Sequence, residues 1–137
     1  MNKIAVVFWS GTGNTEAMAA AVAEGAGPGA ELIPAAAFDP AALANYDGFA
    51  FGCPSMGAEQ LEESEFEPMF SACEAKLAGR RVGLFGSYGW GDGEWMRSWE
   101  ERCAAAGIAL AAPSVICCEA PDEDALAACR ALGAALA

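Results

Sequence analysis

The sequence predicts a three-layer α/β domain: a doubly wound, five-stranded parallel sheet with helices on both faces. Three observations predict it. Short apolar runs alternate with helical patterns along the whole chain, the order that builds a parallel sheet from strand–helix–strand units. The first run, Ile4-Ala5-Val6-Val7-Phe8-Trp9, is continuously apolar, as a strand buried on both faces must be. The 137 residues, 55% of them hydrophobic, suffice for one full core and are too few for two.

The elements follow in order. After the strand at 4–9 comes an alanine-rich helix over 14–24, then a short strand at 31–33. Asp39-Pro40 opens a short helix, with Asp39 as N-cap and Pro40 in the first position, where its missing N–H costs nothing. Residues 48–53 form the third strand, stopped by Pro54. The next helix spans 64–73, with Ser64 as its cap and Glu67 reaching back in a capping box. Residues 81–86 are the fourth strand and 93–106 the following helix. Trp95 and Trp99 lie four apart there, on one face, and belong to the core. Residues 108–118 hold the fifth strand, in which Pro113 marks a break or an edge. A helix over 122–137 closes the chain. With no linker, repeat or low-complexity tract, residues 1–137 read as one domain.

Composition narrows the function. A net charge of −12 lacks the basic footprint of a nucleic-acid binder and does not suit anionic membranes. No apolar stretch resembles a membrane span, and Met1-Asn2-Lys3-Ile4-Ala5 does not open a signal peptide, so a soluble cytoplasmic protein is expected. The absence of histidine removes Ser-His and Cys-His nucleophiles. Cys53, Cys73, Cys103, Cys117, Cys118 and Cys129 include no C-x-x-C pair and sit mostly in apolar runs. They are expected to be free, buried thiols rather than disulfides or zinc ligands. No metal site and no catalytic residue is indicated.

In a doubly wound sheet, ligands bind beyond the carboxyl ends of the strands. Three loops there carry chemistry. Trp9-Ser10-Gly11-Thr12-Gly13-Asn14-Thr15-Glu16 joins a strand to a helix. Its glycines expose backbone N–H groups, its hydroxyl and amide side chains add donors, and the helix N-terminus adds a favourable dipole. This is a phosphate socket, but it is neither G-x-x-x-x-G-K nor G-x-G-x-x-G, since Glu16 holds the third glycine place. It contains no Lys or Arg, so a phosphate here is held by neutral dipoles. The second loop, Cys53-Pro54-Ser55-Met56-Gly57-Ala58-Glu59, offers a polarizable methionine with no strand or helix period, suited to lie against an aromatic ring. The third, Ser87-Tyr88-Gly89-Trp90-Gly91-Asp92-Gly93-Glu94-Trp95, sets aromatics among glycines at a strand end, which is poor for folding and points to a ligand.

These three segments, in this order and spacing, resemble the short-chain flavodoxins over nearly the whole chain. The fifth strand lacks the long insertion of the long-chain class. The resemblance implies a flavodoxin-like fold, non-covalent FMN as cofactor and one-electron transfer as the task. By position, Ser10, Gly11, Thr12, Gly13, Asn14, Thr15 and Ser87 hold the phosphate. Met56 covers the inner face of the isoalloxazine and Trp90 stacks on the outer face. Glu59 accepts from the ring N3–H, the N–H groups of Gly89 and Gly91 approach the pyrimidine edge, and the Gly57 carbonyl turns toward N5. Trp9, Pro54, Ser55 and Tyr88 complete the cofactor-binding set. Relatives often carry Asn near the last strand where this chain has Cys118.

The implied function is a low-potential carrier, cycling mainly between semiquinone and hydroquinone. Glu59, Glu62, Glu63, Glu65, Glu67, Asp92, Glu94 and Glu119 form an expected acidic rim that disfavours an anionic reduced flavin. The rim would also dock basic patches of redox partner proteins on a monomer. A type II turn at 56–59 requires φ > 0 at Ala58, which for alanine costs on the order of 1 kcal/mol and would weaken semiquinone stabilisation. Two rival readings share the fold. A small FMN-dependent reductase needs room over the ring that Trp90 would fill. A non-flavin phosphate-ligand module of the receiver kind needs an acidic cluster where Phe8-Trp9-Ser10 stands.

Overall fold

The computed structural model describes residues 3–56 and 60–137. The expectations for Gly57, Ala58 and Glu59 fall outside them.

Five parallel strands stand in the order β2-β1-β3-β4-β5. They are β1 (Ile4–Phe8), β2 (Ala30–Pro34), β3 (Gly48–Gly52), β4 (Arg81–Tyr88) and β5 (Val115–Cys118). The helices are α1 (Asn14–Ala26), α2 (Phe66–Glu74), α3 (Glu94–Ala105) and α4 (Glu123–Leu136), with 3-10 turns at Ala35–Ala37 and Pro40–Asn45. Strand alternation sorts the core into two layers. Ala5, Val7, Phe49, Phe51, Val82 and Leu84 face α2 and α3, whereas Ile4, Val6, Ala50, Phe85 and Val115 face α1 and α4. Trp95 and Trp99 are buried in the first layer, as their spacing predicts. Trp99 meets Phe66 and Phe70 edge-on there, with ring centroids 5.4 and 5.6 Å apart, while the two phenylalanine rings stack on each other.

Across the other face, α1 and α4 approach so closely that glycine is required at the contact. A Cβ on Gly133 would lie 2.0 Å from the Val22 carbonyl oxygen, and one on Gly25 would lie 1.9 Å from that of Arg130. This close pairing fixes the axis of α1, and with it the N-terminus that faces the site.

Several boundaries differ from the sequence expectation for identifiable reasons. Strand β1 ends at Phe8, yet the Trp9 N–H still bonds the Gly52 carbonyl at 3.0 Å. Strand β4 runs two residues beyond Gly86 because Ser87 and Tyr88 pair with Cys117 and Cys118. Pro113 does mark a break: Leu110 bridges Val82, and the ladder resumes only at Val115. Asp39 and Asp122 cap as N-cap residues, accepting from Ala41 N and Ala125 N.

The start of α2 is a correction. Neither Ser64 nor Glu67 forms the expected capping box. Glu62, from further upstream, buries its carboxylate beneath the helix N-terminus. Its Oε1 accepts from the N–H groups of Glu65 (2.8 Å) and Phe66 (2.9 Å), and its Oε2 from Ser64 N (2.9 Å) and the Ser64 hydroxyl. Glu67 instead meets Arg102 of α3, which also binds Glu74 and lies 5.0 Å over the Phe70 ring. A half-buried cation between two helices outcompetes a helix end for that carboxylate.

All six cysteines are free. Cys53, Cys73, Cys103 and Cys129 are buried, Cys117 is half-buried and Cys118 is exposed, which corrects the expectation of burial for that last position. Among the described residues, no helix is long and apolar enough to cross a membrane.

Candidate functional site

At the carboxyl ends of the strands lies a cavity of about 570 Å³. It opens beyond the ends of β1 and β3, the neighbouring strands at which the strand order reverses. Four loops meet there, and cross-strand hydrogen bonding continues past the strand ends to join them. Trp9 N bonds Gly52 O, Ser55 N bonds Ser87 O at 3.1 Å, and Glu119 N bonds Tyr88 O at 2.7 Å.

The first loop supplies the floor. Gly13 sits at φ 94°, a left-handed conformation that turns the chain into α1. The Ser10 oxygen accepts from Gly13 N (3.0 Å) and Glu16 N (3.3 Å), which leaves its hydroxyl proton available as a donor. The N–H groups of Asn14 and Thr15, in the first helical turn, have no acceptor within the helix. Thr15 is 1% exposed, lines the cavity, and its Oγ1 has no hydrogen-bond partner. A buried hydroxyl left unpaired costs on the order of 1–3 kcal/mol. An acceptor placed in the cavity would supply the missing partner.

Trp9 forms one wall. Its indole Nε1–H donates to Glu65 Oε1 at 2.9 Å, and its ring lies against Gly11, where a Cβ would come within 3.1 Å of it. The opposite walls come from Pro54, Ser55 and Met56 and from Ser87, Tyr88 and Gly89. Met56, assigned no strand period from sequence, makes an antiparallel bridge with Gln60.

Cys53 sits at the root of the second loop and is bonded on every side. Its N–H donates to Phe85 O (3.2 Å), its carbonyl accepts from Trp95 Nε1 (3.1 Å), and its sulfur accepts from Glu62 N (3.3 Å). Burial pushes this thiol up to about 12, outweighing the Glu62 N–H that favours the thiolate. It is therefore an inert fastening, not a nucleophile. Glu62 goes the other way. Burial alone would raise its carboxyl, but the Ser64 hydroxyl and three backbone N–H donors hold it at about 2. Glu67 also lies below the ordinary carboxylate range, chiefly through its bonds to Arg102.

Of the residues assigned from sequence, Trp9, Ser10, Gly11, Thr12, Asn14, Thr15, Pro54, Ser55, Met56, Ser87, Tyr88 and Gly89 line the cavity. Gly13 shapes the floor from behind. Trp90 and Gly91 lie outside the lining, and Trp90 is 63% exposed. Gly57 and Glu59 lie outside the described residues. Ser87 is buried, and its hydroxyl donates to Glu119 O at 2.6 Å, which engages the proton assigned to a phosphate.

Two lining residues were missed as cavity walls, Glu119 and Ala120. Glu119 is the one non-glycine residue at positive φ (59°) among those described. Its place at the end of the fifth strand, before Ala120-Pro121-Asp122, was the available signal. Cys118 is exposed and stands beside the cavity, not in it.

The acidic rim also needs correction. Glu62 is buried beneath α2 and Glu67 is paired with Arg102, so neither presents a free charge. Asp92 is bonded to Arg97 at 2.9 Å. Glu63, Glu65, Glu94 and Glu119 remain at the surface, and among the described residues no Lys or Arg lines the cavity. Chemically, the site joins a neutral anion socket to a mostly apolar slot without a basic side chain.

Comparison with known proteins fits this geometry. The flavodoxin family model matches residues 6–133. The chain is 46% identical over 121 residues to a flavodoxin of Clostridium beijerinckii, covering 86% of this chain and 88% of that one. It is 42% identical over 137 residues to a flavodoxin of Megasphaera elsdenii, covering 98% of each. The solution structure of the two-electron reduced M. elsdenii flavodoxin matches with a TM-score of 0.87 over 97% of both chains.

Proposed function

The chain belongs to the flavodoxin family, an electron-transfer protein that carries FMN and not an enzyme, and from that premise we propose how its own residues hold and tune the cofactor. Ser10, Thr12, Asn14 and Thr15, with the first N–H groups of α1, take the phosphate. Pro54, Ser55, Met56, Tyr88 and Gly89 bracket the ribityl and ring portions, and Trp90, free at the rim, swings over the outer ring face. Bound FMN supplies the redox chemistry, and the protein sets its orientation and electrostatics.

The observation that supports this arrangement best is the Thr15 hydroxyl, buried at the cavity floor with no partner. Bound phosphate oxygen completes it. With no cation against that phosphate and surface carboxylates at Glu63, Glu65, Glu94 and Glu119, added negative charge on the flavin is disfavoured. The carrier therefore works at low potential, cycling mainly between semiquinone and hydroquinone. Its partners are oxidoreductases with basic docking patches, met by a monomer in the cytoplasm.

The test is a titration of apo-protein with FMN and with riboflavin, followed by stepwise anaerobic reduction of the holo-protein. Tight FMN binding, much weaker riboflavin binding and a blue intermediate that then bleaches support the proposal. Equal binding of both flavins, or direct bleaching with no blue species, overturns it.

A further inference from the structure

Glu62 has no place in the cavity, yet its contacts reach two of the cavity walls. Through its carboxylate it holds the N–H groups of Ser64, Glu65 and Phe66, which sets the backbone of Glu65. Glu65 in turn accepts the Trp9 indole N–H at 2.9 Å, across 56 residues of sequence. Trp9 is a cavity wall and backs onto Gly11 of the phosphate loop. In the other direction the Glu62 backbone N–H donates to the Cys53 sulfur at 3.3 Å, at the root of the loop that carries Pro54, Ser55 and Met56. Helix α2 alone does not need this arrangement, since a Ser or Asp in the N-cap position would satisfy its first turn. A buried carboxylate is a costly choice unless every bond it makes is needed.

We propose that Glu62 is a positioning residue for the flavin: through Glu65 and Cys53 it joins the Trp9 wall to the Met56 wall and sets the width of the slot between them. The inference rests on the FMN-binding reading above. Removing the Glu62 charge loosens Glu65, frees the Trp9 indole to rotate, and lets the Trp9 wall drift relative to the Met56 wall, which the Glu62 backbone N–H still anchors at Cys53. Glu65 acts between Glu62 and Trp9, so its side chain needs only an acceptor oxygen and not a charge.

The experiment uses the full chain and the variants Glu62→Gln, Glu65→Ala, Glu65→Gln and Trp9→Phe, with the double variant of Glu62→Gln and Trp9→Phe. Two quantities are measured: FMN dissociation constants, and the Trp9 indole N–H resonance of the apo-protein, assigned by its loss in Trp9→Phe. Glu62→Gln and Glu65→Ala should each weaken FMN binding about tenfold, the size expected for one lost hydrogen bond to a charged group. Both should also shift the Trp9 resonance, and Glu65→Gln should restore affinity and resonance together. In the Trp9→Phe background, Glu62→Gln should cost less than it does alone. A capping role confined to α2 would leave the Trp9 resonance in place and make the two effects additive, and either result overturns the proposal. If Glu62→Gln does not fold, the Glu65 pair decides: Glu65→Ala binding FMN as tightly as wild type overturns it. If the wild type binds no FMN, the cofactor reading fails, while the resonances still show whether Glu62 governs Trp9.

Discussion

The Trp95 indole N–H meets the Cys53 carbonyl oxygen at 3.1 Å, a buried bond between the first turn of α3 and the end of β3. It fixes the point from which the second cavity loop departs. Trp95→Phe keeps the ring in the core but strands that carbonyl. The expected loss of stability is about 1–3 kcal/mol, the cost of an unpaired buried acceptor. Urea unfolding of the apo-protein checks it, and FMN affinity should fall in parallel because the loop root loosens.

Thr15→Val separates folding from binding. The hydroxyl it removes is unpaired in the structure, so apo-protein stability should hold or rise slightly. FMN binding should weaken about tenfold or more, as for a charge-assisted hydrogen bond, while riboflavin binding stays unchanged. Calorimetric titration with both flavins is the measurement. Weakened riboflavin binding would mean that Thr15 shapes the slot instead of meeting phosphate.

Acid sensitivity follows from Glu62. Its carboxyl lies at about 2 in the folded chain against an ordinary value of 4.5. Between those values the unfolded chain binds a proton that the folded chain does not, so stability rises with pH there. The contribution is fully present above about pH 4.5 and is lost as pH falls toward 2. Glu67, lowered by Arg102, adds to the same trend. Unfolding free energy measured against pH should therefore fall more steeply for the wild type than for Glu62→Gln across that interval.

Gly133→Ala tests the fit of α1 against α4. The new methyl would meet the Val22 backbone carbonyl at 2.0 Å, where no side chain can move aside. Overpacking of this kind costs about 1–3 kcal/mol, seen as a lowered Tm. Because α1 carries the proposed phosphate socket at its N-terminus, FMN affinity should fall as well. By contrast, alanine at Gly89, whose Cβ would meet nothing within 4 Å, should leave Tm close to wild type.

Much of this was legible in the chain itself. The continuous apolar run at Ile4 and the tryptophan spacing at 95 and 99 report burial directly, so strands and core follow from them. That Ser10, Thr12, Asn14 and Thr15 share one cavity wall was legible because they are neighbours in sequence. What was hidden depends on long-range competition. Glu67 has the spacing of a capping partner, but Arg102 takes it across 35 residues of sequence, and the more distant Glu62 fills the vacancy. The sequence places Glu119 on an acidic rim but not in the cavity wall, because its positive φ leaves only a weak mark, the position at the strand end before Ala120-Pro121-Asp122. Apolar neighbours predict burial for Cys118, but β5 is an edge strand and leaves one side uncovered.

The backbone bonds that run on beyond the strand ends, from Trp9 to Gly52, Ser55 to Ser87 and Glu119 to Tyr88, bear on speed as well as shape. An electron crosses quickly only when its surroundings need little rearrangement on its arrival. Walls fastened to a five-stranded sheet are stiff in that sense. The chain has in effect extended its most rigid element into the walls of the cavity.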